Sequence, residues 1–255
     1  MQYWEHIERV FRARSLDDVK SATSAYTKAL GFQHHGYAMK LQEPSLLPGL
    51  AAVPGNDFFY FEDFASDWSK TYPALAAPQA ERADPRIIQS REGLPAASWN
   101  ARGETSYELR PRVYLMQRTR RTLQMAGEHG LRGGITVPSW SPGMRWSFMT
   151  FTHTALFDPR EMLPTVASAV YFVNCMQAAL DRLLRQRQPL PTLSEREREV
   201  LRWSAVGKTS WEISMILRIS ERTVNFHLQQ ASRKLGVKGR RAACARAVAL
   251  GLITL

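Results

Sequence analysis

Three helix-start signals crowd into one short stretch near the C-terminal end: Ser194-x-x-Glu197, Thr209-x-x-Glu212 and Ser220-Glu221. In each, a Ser or Thr oxygen can accept from a backbone N–H one turn on, and in the first two a Glu can reach back to the cap. Gly207 and Gly236 stand where such helices should close. The pattern predicts helices over 195–206, 210–217, 221–235 and about 240–250. Their apolar Val200, Leu201, Ile213, Ile216, Val224, Leu228, Leu235 and Val248 recur near helical spacing and can form one small core. Between the second and third helices, Arg218-Ile219-Ser220 is the length of a helix-turn-helix turn. Arg222, Asn225, Phe226, Gln229 and Arg233 fall largely opposite the apolar stripe of the third helix. With Thr223 and Lys238 they form a candidate DNA-contacting set, long donors for phosphates and amides for base edges. A generic four-helix bundle with a solvated basic face fits the same periodicity.

Charge favours a polyanion partner for this segment. From Thr192 on there are 12 Lys and Arg against 5 Asp and Glu, net +7 in 64 residues, out of +11 for the whole 255-residue chain. The boundary before it is Arg185-Gln-Arg-Gln-Pro-Leu-Pro-Thr192, where two prolines end the preceding helix. The expected division is residues 1–185, a linker 186–191 and residues 192–255.

Upstream, Ser15-x-x-Asp18 opens a helix that closes near Gly31, and 32–40 reads as a strand. A Pro- and Gly-rich loop over 41–56 precedes an apolar segment, 57–61. A helix is predicted over about 111–128, ended by Gly130, followed by paired strands 134–138 and 145–153 around a Gly143 turn. Asp158-Pro-Arg-Glu161 combines an N-cap, a Pro at the first helical position and a capping box, and opens a long helix to about Gln186. Leu163, Val166, Val170, Val173, Leu180, Leu183 and Leu184 give that helix more apolar surface than one face needs. Packing on a sheet and a dimer seam both account for it. Helices before and after strands indicate an α+β domain, an α-β-α sandwich around an antiparallel sheet, followed by an all-α four-helix unit.

The C-terminal motifs resemble the LuxR-type DNA-binding domain throughout: Thr192-Leu-Ser-Glu-Arg-Glu-Arg-Glu-Val-Leu201, Gly207-Lys-Thr-Ser-Trp-Glu-Ile-Ser214, Ser220-Glu-Arg-Thr-Val-Asn-Phe-His227 and Arg233-Lys-Leu-Gly236. The family's three marker positions fall on Glu197, Leu201 and Gly207, and the closing 251–255 looks like the LasR branch of quorum-sensing receptors. In the first domain Trp68-x-x-x-Tyr72, Asp84-Pro85, Trp99 and Gly134, with Gly130-Leu-Arg-Gly-Gly-Ile-Thr-Val-Pro138 around the last, resemble the autoinducer-binding domain. That resemblance implies an N-acyl-homoserine lactone ligand. Trp68 would donate to the lactone carbonyl, Asp84 would accept from the amide N–H, Tyr72 and Trp99 would form walls, and Thr150 would face the amide carbonyl. Such a ligand needs an apolar cavity with a few convergent polar groups.

Three departures stand out. Phe64 occupies a position where many relatives have tyrosine, so one hydroxyl is missing from the candidate ligand set. The interval from Tyr72 to Asp84, with Pro73-Ala-Leu-Ala-Ala-Pro78, is about three residues longer than usual. Arg86 replaces a small polar residue and is most simply read as pointing to solvent.

The reading that follows is a cytoplasmic quorum-sensing transcription regulator without cofactor. Its expected partners are double-stranded DNA carrying an inverted repeat, a second copy of the chain and RNA polymerase, with no membrane. The alternative is a solo sensor of the same family answering a non-self or non-lactone molecule. Cys175 and Cys244 lie far apart among apolar or small neighbours, which argues against a disulfide framework. His34, His35, His129 and His153 lack metal-ligand spacing. No nucleotide-binding glycine loop or nucleophile elbow occurs, which argues against an enzyme. Asp17-Asp18 sits at a helix start rather than where a phosphorylated receiver domain needs its acidic pair. No apolar run approaches the roughly 20 residues that span a bilayer.

Overall fold

The computed structural model describes residues 3–40, 58–64, 68, 83–106, 117–141, 145–187 and 190–254. The expected loop 41–56, Tyr72, the 73–78 insertion, the start of the 111–128 helix and the Gly143 turn lie outside them. The chain divides into two compact units at residues 187 and 188.

In the first unit, α1 (Trp4–Phe11) and α2 (Leu16–Ala29) precede β1 (His34–Lys40) and β2 (Phe58–Glu62). Then come α3 (Pro85–Arg91), β3 (Ala97–Asn100), α4 (Gln117–Glu128), β4 (Gly133–Ser141), β5 (Arg145–His153) and α5 (Leu163–Arg187). The Ser15 cap forms as predicted, with the Asp18 carboxylate accepting in return from the Ser15 N–H. At Asp158 the cap differs from expectation. Its carboxylate accepts from Arg160, two residues on, so the opening turn Pro159–Met162 is a 3-10 helix and not an α-helical capping box.

The strands pair antiparallel in the order β2-β1-β5-β4-β3. Residues directly opposite one another share a face, and side chains alternate along each strand. One face carries Tyr37, Met39, Phe59, Phe61, Ile135, Val137, Met149 and Phe151, all buried in one core with Val10, Tyr26, Phe172 and Met176 of the covering helices α1, α2 and α5. Tyr26 stacks on Phe172 at 3.8 Å and meets Phe151 edge-on. Burial raises the Tyr26 phenol to about 12, although the bond to Ser168 pulls the other way. The opposite face is covered by α3, α4 and Trp68.

The long helix is held by more than apolar contact. Gln177 Oε1 accepts from Tyr37 Oη (2.7 Å) and Ser147 Oγ (3.0 Å), while its Nε2 donates to Ser141 Oγ (2.8 Å). One buried amide thus fixes α5 against β1, β4 and β5. The segment Pro159–Gln186 is, by length and composition, apolar enough to cross a membrane, contrary to expectation. Here its apolar face is the cover of the sheet.

The second unit is α6 (Glu195–Ala205), α7 (Ser210–Leu217), α8 (Glu221–Lys234) and α9 (Arg240–Ala249) around one core that includes Val200, Leu201, Ile213, Val224, Leu228 and Ala247. Both predicted capping boxes form, at Ser194/Glu197 and Thr209/Glu212. Gly207 and Gly236 have φ of +95° and +67°. Between α7 and α8, Arg218 has φ +54°, the one non-glycine residue in the left-handed region among those described. It closes α7 and lets Ser220 cap α8 two residues later. The Thr209 N–H, the Lys208 ammonium and the Thr209 hydroxyl hold the Glu212 carboxyl down at about 2.

Replacing Gln177 with Leu removes the partner shared by three buried hydroxyls and should cost about 2–4 kcal/mol in urea unfolding of the first unit. Asn174→Leu, one turn away on the exposed side, should stay within about 0.5 kcal/mol. An equal loss in both variants would dismiss the amide as the fastener. A second expectation follows from Glu212, whose folded carboxyl is lowered from 4.5 to about 2. Its contribution is fully present above pH 4.5 and lost as pH falls toward 2. The melting difference between wild type and Glu212→Gln should therefore be constant from pH 5 to 7 and shrink below that window. A difference that grows on acidification would contradict the sign.

Candidate ligand-binding and DNA-binding sites

The second face of the sheet is built from small residues where the first is built from large ones. Gly36, Ala38, Gly134, Thr136, Thr150 and Thr152 lie on it by register. Trp99 is paired with Gly134 across β3 and β4. A Cβ at Gly134 would stand 2.7 Å from the Trp99 ring and 2.6 Å from the Phe151 carbonyl oxygen. The glycine is therefore the seat of the indole. Trp99 Nε1 donates to Thr136 Oγ1 at 2.9 Å, and Thr136 and Thr150 hydroxyls meet at 3.2 Å. On the β1 side the Phe64 ring lies over Gly36, whose missing Cβ would come within 2.5 Å of it. Phe64 also packs on the buried cluster of Trp68, Ala126 and Leu131, and the Trp68 ring lies 5.6 Å from that of His129.

Asp84 closes this face from α3. It is the N-cap of that helix, accepting from the Arg86 N–H at 2.8 Å, and it is 1% exposed. Arg86 does not point to solvent as expected. It is 9% exposed, its Nε and Nη2 donate to both Asp84 oxygens (3.0, 3.2 and 2.6 Å), and its guanidinium lies 5.4 Å from the centre of the Phe148 ring. The physical reason is the carboxylate: buried without a counter-charge it would cost several kcal/mol, and the side chain two residues on is near enough to supply one. Behind Phe148, Phe58, Ile87 and Trp146 fill the end of the face with protein.

Of the sequence-derived ligand set, Phe64, Trp68, Asp84, Trp99, Gly134 and Thr150 come together on this one face, and Tyr72 lies outside the described residues. Sequence reasoning missed Thr136, the bridge between Trp99 and Thr150, though its place two residues after Gly134 puts it on the same face. It also missed Gly36 and the burial of Arg86. The result is a floor with two hydroxyls, aromatic walls and one buried carboxylate, an arrangement suited to a small amphiphile with a polar head.

On the second unit, Arg222, Asn225, Phe226, Gln229 and Arg233 are exposed on α8, Lys238 is exposed beyond it, and Thr223 is half-buried. Thr223 is engaged by the cap, its hydroxyl 2.7 Å from Ser220 Oγ. Asn225 is not independent: its Oδ1 accepts from Ser210 Oγ of α7 at 2.7 Å. Arg233 donates to Gln230 one turn back. Glu197 ties α6 to α8 through Lys234 Nζ at 2.8 Å. Burial works to raise the Glu197 carboxyl, and the Lys234 ammonium and Ser194 N–H outweigh it, so the group sits below its ordinary value.

Comparison with known proteins finds a family match in each of the two units. Residues 191–247 match the family "Bacterial regulatory proteins, luxR family", and residues 15–178 match "Autoinducer binding domain". The putative HTH-type transcriptional regulator y4qH of Sinorhizobium fredii is 36% identical over 67% of this chain, a match that spans 50% of that relative. The transcriptional activator AhyR of Aeromonas hydrophila is 27% identical over 99% of this chain and 92% of its own length. In fold, Escherichia coli SdiA matches with TM-score 0.70 at 23% identity, covering 99% of this chain and 98% of that one. SdiA in complex with octanoyl-rac-glycerol matches at 0.71 and 23%, over 98% and 94%. These support the family as a whole, and the likeness to the LasR branch rests on the sequence alone. The chain belongs to the LuxR family of bacterial transcription regulators, with an autoinducer-binding domain followed by a helix-turn-helix DNA-binding domain.

Proposed function

We propose that this chain is a cytoplasmic quorum-sensing regulator that binds an N-acyl-homoserine lactone on the small-residue face and, as a homodimer, an inverted repeat of DNA. The observation that carries the ligand reading is the hydrogen-bonded line Trp99–Thr136–Thr150 on the face that α3, capped by the buried Asp84, covers. An acyl amide has one carbonyl for a hydroxyl donor and one N–H for a carboxylate, and the ring of a lactone suits flat aromatic walls. No cofactor is needed for this recognition. Ligand burial stabilises the first unit by mass action. The stabilised form then favours a dimer that offers two α8 helices to successive major grooves and engages RNA polymerase. Leu163 and Tyr171 on the outer side of α5, both more than half exposed, supply apolar surface for that pairing.

A second reading, a sensor of a non-lactone amphiphile, is favoured by the Arg86–Asp84 pair, because a neutralised carboxylate attracts an amide N–H less strongly. The SdiA complex with octanoyl-rac-glycerol is an instance of such a ligand on this fold. A melting-temperature titration with acyl-homoserine lactones of several lengths separates the two. The lactone reading expects a rise that Thr150→Val weakens about fivefold to tenfold in half-saturating concentration, the loss of one hydrogen bond. A rise with octanoyl-glycerol alone would hand the site to the second reading.

DNA recognition has its own test. Asn225→Ala should cost about 1–3 kcal/mol on the operator and little on random duplex, since an amide reads base edges. Lys238→Ala should weaken both alike and lower the salt slope by about one unit. Equal losses on both duplexes for Asn225→Ala would move that residue to the backbone-contacting set.

A further inference from the structure

The geometry points to Arg86 as a specificity-determining residue that closes the ligand face to long acyl chains. This rests on the lactone reading above. Two observations carry it beside the hydrogen bonds to Asp84. The guanidinium carbon lies over the Phe148 ring, 5.4 Å from its centre, and Phe148, with Pro138 opposite it, comes next on the face beyond the Thr136–Thr150 floor. Past it, Phe58, Ile87 and Trp146 pack against Phe148 as one buried cluster. A chain of methylenes leaving the floor in that direction meets a charged plate that cannot move aside cheaply, because moving it breaks the guanidinium's hydrogen bonds to a carboxylate that is 1% exposed. The small polar residue expected at this position would leave the same path open.

Arg86 therefore does two things at once. It makes Asp84 a shared acceptor, which a ligand amide approaches beside the guanidinium rather than alone. It also shortens the apolar path, so discrimination among ligands is by length. The cost of a methylene that finds no apolar wall is about fourfold in affinity.

The test uses the full chain and the N-butanoyl, N-hexanoyl, N-octanoyl and N-dodecanoyl homoserine lactones, with half-saturating concentrations read from melting-temperature titrations. Wild type is expected to favour the short chains. Arg86→Ser should shift the ratio of dodecanoyl to hexanoyl affinity by at least about tenfold toward the longer chain, and Arg86→Lys, which keeps the charge without the plate, should fall between. Should Arg86→Ser prove insoluble with the guanidinium beside Asp84 removed, the pair Asp84→Asn with Arg86→Ser removes both charges. The same ratio is read, because a general loss of affinity cancels from it. An unchanged order of preference in these variants, or a wild type that already prefers dodecanoyl, overturns the role of Arg86 while leaving the lactone reading intact. A wild type that responds to none of the four overturns both.

Discussion

The bond from Trp99 Nε1 to Thr136 Oγ1 ties the edge strand β3 to its neighbour β4, and the small-residue face of the first unit depends on it. Trp99 sits on β3, a strand of four residues with one neighbour. Its ring would be loosely placed if packing alone positioned it. The missing side chain of Gly134 lets the indole approach β4 closely, and the hydrogen bond fixes its rotation. The same two-residue alternation that puts large rings toward α1, α2 and α5 puts glycine, alanine and threonine on the opposite side. A sheet covered on both sides must be filled on both. Here one side carries the large rings, and the other a polar floor of threonines between aromatic walls.

The two units solve their stability problem differently. In the helical unit three of the four helices begin with a side-chain cap and all four end with left-handed closures, so local signals define most of its geometry. The Glu197–Lys234 pair and a small core then join the pieces. In the sheet unit the decisive contacts are distant in sequence, such as Tyr37 and Ser147 meeting on Gln177. The bond between Ser210 and Asn225 belongs with these cross-element ties, because it lets α7 set the side chain that α8 presents.

What could be seen in the residues follows this division. The helical unit was legible almost to the residue, because Ser194, Thr209, Ser220, Gly207 and Gly236 are punctuation that acts within one turn. The layered α+β fold was legible from long periodic segments. α1 was not, because its cap position is Tyr3 and makes no side-chain bond. β3 was not, because four residues carry too little alternation to stand out. Within the site, Trp99 and Asp84 were named, but Thr136 and Gly36 are ordinary residues whose importance comes from who lies across the strand. Arg86 was misplaced because the demand of a buried carboxylate is a property of packing and not of spacing.

The central strand pair carries a consequence for the newborn chain. β1 and β5 are neighbours in the sheet, yet His34 and its partner Thr152 are 118 residues apart. At about 5–20 residues per second, a ribosome needs roughly 6 to 24 s between delivering one and the other. Throughout that interval β1 has its β2 side available and its β5 side bare, with Tyr37 and Met39 uncovered. The face that carries Gly36 and Gly134 is thus completed only as the last strands emerge, and until then its earliest strand must be kept from pairing with another chain.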